Sequence, residues 1–128
     1  MNLPKAVTLD ALRKIARSLP DVEETTPHGS LAFKLRGKLF AWMPVKKSVE
    51  PGTLAIRIDF DRRADLIAEA PEVYYLIDHY KDYPAVLVRL SRIETDALRD
   101  LLRGAWQFVS ATTKVKRTIR KRDSKPAL

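Results

Sequence analysis

"LAFKLRGKLFAWM", residues 31–43, decides how this chain folds. Leu31, Phe33 and Leu35 alternate with Ala32, Lys34 and Arg36, a period of two that suits a half-buried strand and not a helix. Gly37-Lys38 then offers a bend, and Leu39 to Met43 resumes as the return strand. The unit is a β-hairpin whose apolar side needs a cover. Trp42 and Phe40 fall opposite Leu39, Ala41 and Met43, which makes them candidates for an exposed sheet surface.

Upstream of the hairpin the period is helical. Leu9, Leu12, Ile15, Ala16 and Leu19 form one stripe, Thr8 is placed to cap it, and Pro20 ends it. Downstream, "TLAIRIDF" at 53–60 reads as a third strand, with Leu54, Ile56 and Ile58 on one face and Arg57 and Asp59 on the other. Asp61 then caps a short helix through "RRADLIAEA", closed by Pro71. Two further strands follow, Val73 to Tyr80 and Tyr83 to Leu90, bending at Lys81-Asp82. Leu98, Leu101, Leu102, Ala105, Trp106 and Val109 make the last helix, with Gly104 weakening it slightly. The order is α-β(3)-α-β(2)-α. It predicts a single α+β domain over residues 1–111, an antiparallel sheet with helices packed on it, followed by a basic tail at 112–128.

All four tyrosines lie in the fourth and fifth strands. With Lys81-Asp82 as a two-residue bend, Tyr75 and Ile77 share the core face with Val86 and Val88. Tyr74, Leu76, Leu87 and Arg89 take the other face, near whose end Tyr80 and Tyr83 sit. A register shift of one residue exchanges these two sets. Strand propensity and cross-strand ring pairs account for such a cluster without a stacked ligand.

A net charge of +8 on 128 residues hides an uneven distribution. From Thr112 onward seven basic residues face one acidic residue, leaving a body of 17 basic and 15 acidic residues that is close to neutral. The cationic character therefore belongs to the tail. The chain has no cysteine, which excludes disulfides and thiolate chemistry and fits a reducing compartment such as the cytoplasm. No apolar run approaches the length that spans a bilayer, so no membrane partner is expected.

Little in the sequence points to catalysis. His28 and His79 lack a second ligand at a preorganising spacing, so neither a metal nor another cofactor is expected. Ser30 stands two residues from His28 along an extended segment, an arrangement that does not build a triad. Asp59 and Asp61 share one side of "DFD", and a capping role accounts for Asp61. Four glycines leave no phosphate loop. The reading is a non-enzyme.

Three stretches, "LPDVEETTPHGSLAFKLRGKLFAWM" at 19–43, "LAIRIDFDRRADLIAEAPEVYYLIDHY" at 54–80 and "YPAVLVRLSRIETDALRDLLRGAWQFVS" at 83–110, together resemble the MmcQ/YjbR family. These small bacterial proteins are described as a "double-wing" DNA-binding family. The resemblance implies a fold like that of secretion chaperones, with two projecting hairpins whose bends here are Arg36-Gly37-Lys38 and Lys81-Asp82. It also implies DNA binding, while the tail beyond Ala111 departs from the family pattern and inherits nothing from it.

The functional expectation is a nucleic-acid partner, DNA held with low sequence specificity. Phosphate contacts would come from Lys34, Arg36, Lys38 and Lys81 and from Lys114, Lys116, Arg117, Arg120, Lys121 and Arg122 in the tail. The last helix spends its best face on the core, so no recognition helix is left for base readout. The alternative is a non-catalytic protein-interaction module whose exposed sheet face accepts a partner segment or a second copy as a homodimer. A minority reading gathers His28, Tyr75, His79 and Tyr80 into a ligand pocket.

Overall fold

The computed structural model describes residues 7–26 and 30–123, with side chains described through residue 111. Its elements run α1 (Leu9–Arg17), β1 (Val22–Thr25), β2 (Ala32–Leu35), β3 (Lys38–Trp42), β4 (Thr53–Arg57), α2 (Phe60–Glu69), β5 (Tyr74–Tyr75), a 3₁₀ turn (Asp78–Tyr80), β6 (Ala85–Arg89) and α3 (Thr95–Asp123). The six strands form one antiparallel sheet in the order β1-β2-β3-β4-β6-β5. The architecture is the expected α+β layer. None of the described helices is long and apolar enough to cross a membrane.

One face of the sheet carries the main core. Phe33, Leu35, Phe40, Leu54, Ile56, Val86 and Val88 are fully buried there against Leu12, Leu98 and Leu102 of α1 and α3. Leu66 and Ile67 of α2 close the same layer at one end. Each such side chain contributes about 1.5–3 kcal/mol on leaving water, so this layer holds the domain together. The helices start as their caps dictate. The Thr8 hydroxyl accepts from the Ala11 N–H at 3.1 Å. The Trp106 indole N–H of α3 donates to the Pro20 carbonyl at 2.8 Å, tying the long helix to the end of α1.

The opposite face is only partly covered. Ala55, Leu87, Val49 and Tyr80 form a small second cluster, flanked by Trp42, Tyr75, Leu76 and Ile77. The loop 44–52 and the segment 76–84 lie over it, while the helices stay on the other side.

Several expectations need correction. A strand missing from the sequence reading, β1, pairs with β2 and takes the sheet edge. Its "VEET" is too polar to show an apolar alternation, yet Val22 packs on the core and the Arg13 Nε donates to the Glu24 Oε2 at 3.1 Å. The first bend consists of Arg36 and Gly37, not Gly37 and Lys38, since Leu35 pairs with Lys38. Both bend residues have positive φ, 51° and 84°, as the two-residue turn matching strand twist requires. The register shifts between Phe33 and Lys34, so an extra residue on β3 bulges and turns Phe40 into the core. Phe40 is therefore not on an exposed face; Trp42 stays on the open side, half-buried.

The second hairpin is shorter than expected. Only Tyr74 and Tyr75 pair with β6, opposite Val88 and Leu87, which is one residue away from the register assumed for a Lys81-Asp82 bend. The faces exchange accordingly. Tyr74 is buried in the main core with Val86 and Val88, Tyr80 is buried in the second cluster, and Tyr75 lies on the open face. The cap of α2 is Asp59, whose carboxylate accepts from the Arg62 N–H at 2.8 Å, and Asp61 falls within the first turn. Leu9 is exposed at the start of α1 and leaves its predicted stripe.

Candidate functional site

The first hairpin was the expected cationic tip, but β1 brings acids beside it. Lys34 stands across the ladder from Glu23, and Arg36 is paired with Asp21 at 3.2 Å. Asp21 itself adopts a positive φ of 60°, which a short polar side chain tolerates, and this turn delivers it to the hairpin end. Lys38 is half-buried at the start of β3. Arg36 is thus paired and Lys34 faces an acid across the ladder, a feature invisible without β1.

The tail differs. Helix α3 runs through Ala111 to Asp123 without interruption, so Lys114, Lys116, Arg117, Arg120, Lys121 and Arg122 are carried on helical backbone. Lys125 lies outside the described residues.

The second loop is built by one arginine. Arg63 of α2 donates from Nη1 to the carbonyls of Tyr83 at 2.9 Å and of Tyr80 and Ala85 at 3.2 Å, and from Nη2 to that of Lys81 at 2.9 Å. Its guanidinium also lies 4.7 Å over the Phe60 ring. A planar fork of five donors suits a bend with many inward carbonyls. Nothing in the sequence singled out Arg63, because carbonyl clusters leave no residue-type signal. Lys81 itself is exposed.

The aromatic cluster forms on the open face as a packed group. Trp42 lies 6.1 Å from Tyr80 and 6.1 Å from Tyr83, and Tyr80 lies 6.4 Å from Tyr83, with interplanar angles of 50–72°. His79 meets Tyr80 edge-on at 4.8 Å. Tilted rings satisfy one another and present no continuous flat platform.

Of the four residues read as a ligand pocket, three are described. Tyr80 lines a shallow apolar groove with Trp42, Leu39, Met43 and Val45, and neither Tyr75 nor His79 is in its walls. His28 lies outside the described residues. Among the described residues no three His, Cys, Asp or Glu side chains group as metal ligands would.

Tyr75 instead anchors the 44–52 loop. Its hydroxyl accepts from the Glu50 N–H at 3.1 Å and shares a 2.6 Å hydrogen bond with Thr53 Oγ1. Arg89 lies 4.3 Å over the Tyr75 ring and makes a two-pronged bond to Glu50, Nε to Oε1 at 2.9 Å and Nη2 to Oε2 at 2.8 Å. Arg89 also donates to the carbonyls of Pro71 and Glu72, so the loop is pinned to the β5 edge.

That ion pair makes a pH prediction. The hydrogen bond from Arg89 holds the Glu50 carboxyl below its ordinary value, so loop anchoring is complete above that value and is lost as pH falls through the lower folded one. An NMR titration of the Glu50 carboxyl is expected to show a depressed pKa that returns to normal in Arg89→Gln. An unshifted wild-type titration would refute the pairing. Glu50 is at the surface, so global stability should hardly follow.

Comparison with known proteins bears on the whole domain. The YjbR family model matches residues 17–108. Uncharacterized proteins of Mycobacterium bovis and Mycobacterium tuberculosis are 35% identical over 77% of this chain and 85% of their own length. The crystal structure of Deinococcus radiodurans protein DR2400, which carries the DUF419 domain, superposes with a TM-score of 0.69 at 26% identity. The superposition covers 82% of this chain and 80% of that one.

Proposed function

The chain belongs to the YjbR family, and from that premise we propose that it is a non-catalytic, cytoplasmic DNA-binding protein that grips the phosphate backbone through the second half of α3. The observation that carries the reading is the continuity of that helix. Six cations fall between residues 114 and 122 on unbroken helical backbone, about 12 Å of axis at 1.5 Å per residue. Duplex DNA carries one phosphate charge per roughly 1.7 Å of its length, so the two densities are comparable. Lys81 at the second loop adds to this field. The first hairpin contributes less than its lysines and arginine suggest, since Asp21 and Glu23 stand beside them.

Binding of this kind depends on salt and hardly on sequence. The test is fluorescence anisotropy of a labelled duplex across a salt series, with wild type and a full-length variant carrying Lys114, Lys116, Arg117, Arg120, Lys121 and Arg122 all changed to Gln. If all six touch phosphate, the slope of log affinity against log salt is expected to shrink by up to about five in the variant. An unchanged slope would remove the tail as the agent. Arg36→Gln, by contrast, should leave the slope nearly as it was.

A further inference from the structure

A second cluster of arginines lies on the body, before the tail begins. A cleft of about 240 Å³ opens where the end of β4, the start of α2 and the middle of α3 meet. Arg57, Arg62 and Arg103 line it, one from each element, together with Asp59, Asp100 and Phe108. Arg57 is held from within. Its guanidinium lies 5.1 Å over the Tyr83 ring and 5.4 Å over the Phe108 ring, and its Nε is buried with no hydrogen-bond partner. Arg62 and Arg103 are exposed, and neither guanidinium pairs with a carboxylate among the described residues.

Two acids share the cleft, Asp59, which caps α2, and Asp100, so its three arginines leave a net charge of +1. Arginines from three elements line the cleft; a carboxylate offers its acceptor sites in one plane, whereas a tetrahedral dianion offers oxygens in three directions.

We propose that this cleft binds a phosphate monoester, with Arg57 as the fixed donor and Arg62 and Arg103 closing on the exposed oxygens. Two sources share that chemistry: a free nucleotide-sized phosphate, or the 5′-terminal phosphate of a nucleic acid strand. None of its lining residues belongs to the tail, so substitutions test the cleft and the tail's grip on duplex phosphates separately.

The test uses the full chain in calorimetric titration at low ionic strength. The probes are inorganic phosphate, thymidine 5′-monophosphate, and a short single-stranded oligonucleotide with or without a 5′-phosphate. Arg62→Gln/Arg103→Gln alters only exposed side chains, so its circular dichroism should match wild type. Its affinity for thymidine monophosphate is expected to fall about tenfold or more. Gly104 lines the cleft, and a Cβ placed there meets nothing within 4 Å, so Gly104→Leu keeps every arginine and is expected to obstruct binding to a similar degree.

Binding of thymidine monophosphate with loss in both variants supports a small-molecule source. Discrimination for the 5′-phosphorylated oligonucleotide, lost in both variants, supports a strand-end source. No binding of any phosphorylated probe by wild type overturns the proposal, as does binding that both variants retain. The six-fold tail variant should still bind thymidine monophosphate, and Arg62→Gln/Arg103→Gln should weaken that binding in it as in wild type, which separates this site from the tail.

Discussion

Phe40→Ala is expected to cost about 3–5 kcal/mol, measured as a fall in the urea midpoint at unchanged slope. Phe40 has no exposed surface and packs in the main core with Phe33 and Leu35. Its place there depends on the bulge in β3. With strict alternation it would share the open face with Trp42, and truncation would remove little buried area. A domain of this size is stable by about 5–15 kcal/mol, so the loss is a large fraction of the whole. Leu39→Ala, one residue earlier and half-exposed, should cost well under half as much. A cost for Phe40→Ala below about 1 kcal/mol would mean that the bulged register is wrong.

Arg63→Ala should act locally and strongly. Four backbone carbonyls lose a charged donor at once, and a hydrogen bond to a charged group contributes about 1.5–3 kcal/mol when desolvated, less where water competes. The expected result is about 2–3 kcal/mol of lost protection against amide hydrogen exchange at Tyr83 and Ala85, whose N–H groups bond within this loop, with smaller changes in α1. Arg63→Lys should not restore it, because an ammonium cannot reach four carbonyls from one plane. Unaltered exchange at Tyr83 and Ala85 in Arg63→Ala would show that the loop is held by other means.

The elements legible in the sequence were those whose burial is one-sided and periodic. The stripe of Leu98, Leu101, Leu102, Ala105 and Val109 appears in α3 as read, and Leu54, Ile56 and Ile58 share the core face of β4's segment. What stayed hidden depends on neighbours. The strand Val22–Thr25 earns its place by pairing with β2 and by the Arg13–Glu24 contact, and neither leaves a periodic trace. A single-residue difference in the β5–β6 register exchanged Tyr74 with Tyr75, since pattern alone does not fix where a turn closes. The arginines at 57, 62 and 103 are far apart along the chain and look like ordinary solvated charges until β4, α2 and α3 bring them to one cleft. The tail cations, by contrast, were evident from composition alone.

The two flanks of the sheet carry one more implication. At one side stands a four-residue strand bearing Glu23 and Glu24, and at the other only Tyr74 and Tyr75 run extended before the chain coils into a 3₁₀ turn. Fibril growth recruits chains onto long, bare, uncharged backbone, and this ribbon offers too little on either side to seed it. Among the described residues, the folded sheet thus offers little edge onto which a second chain could add a strand.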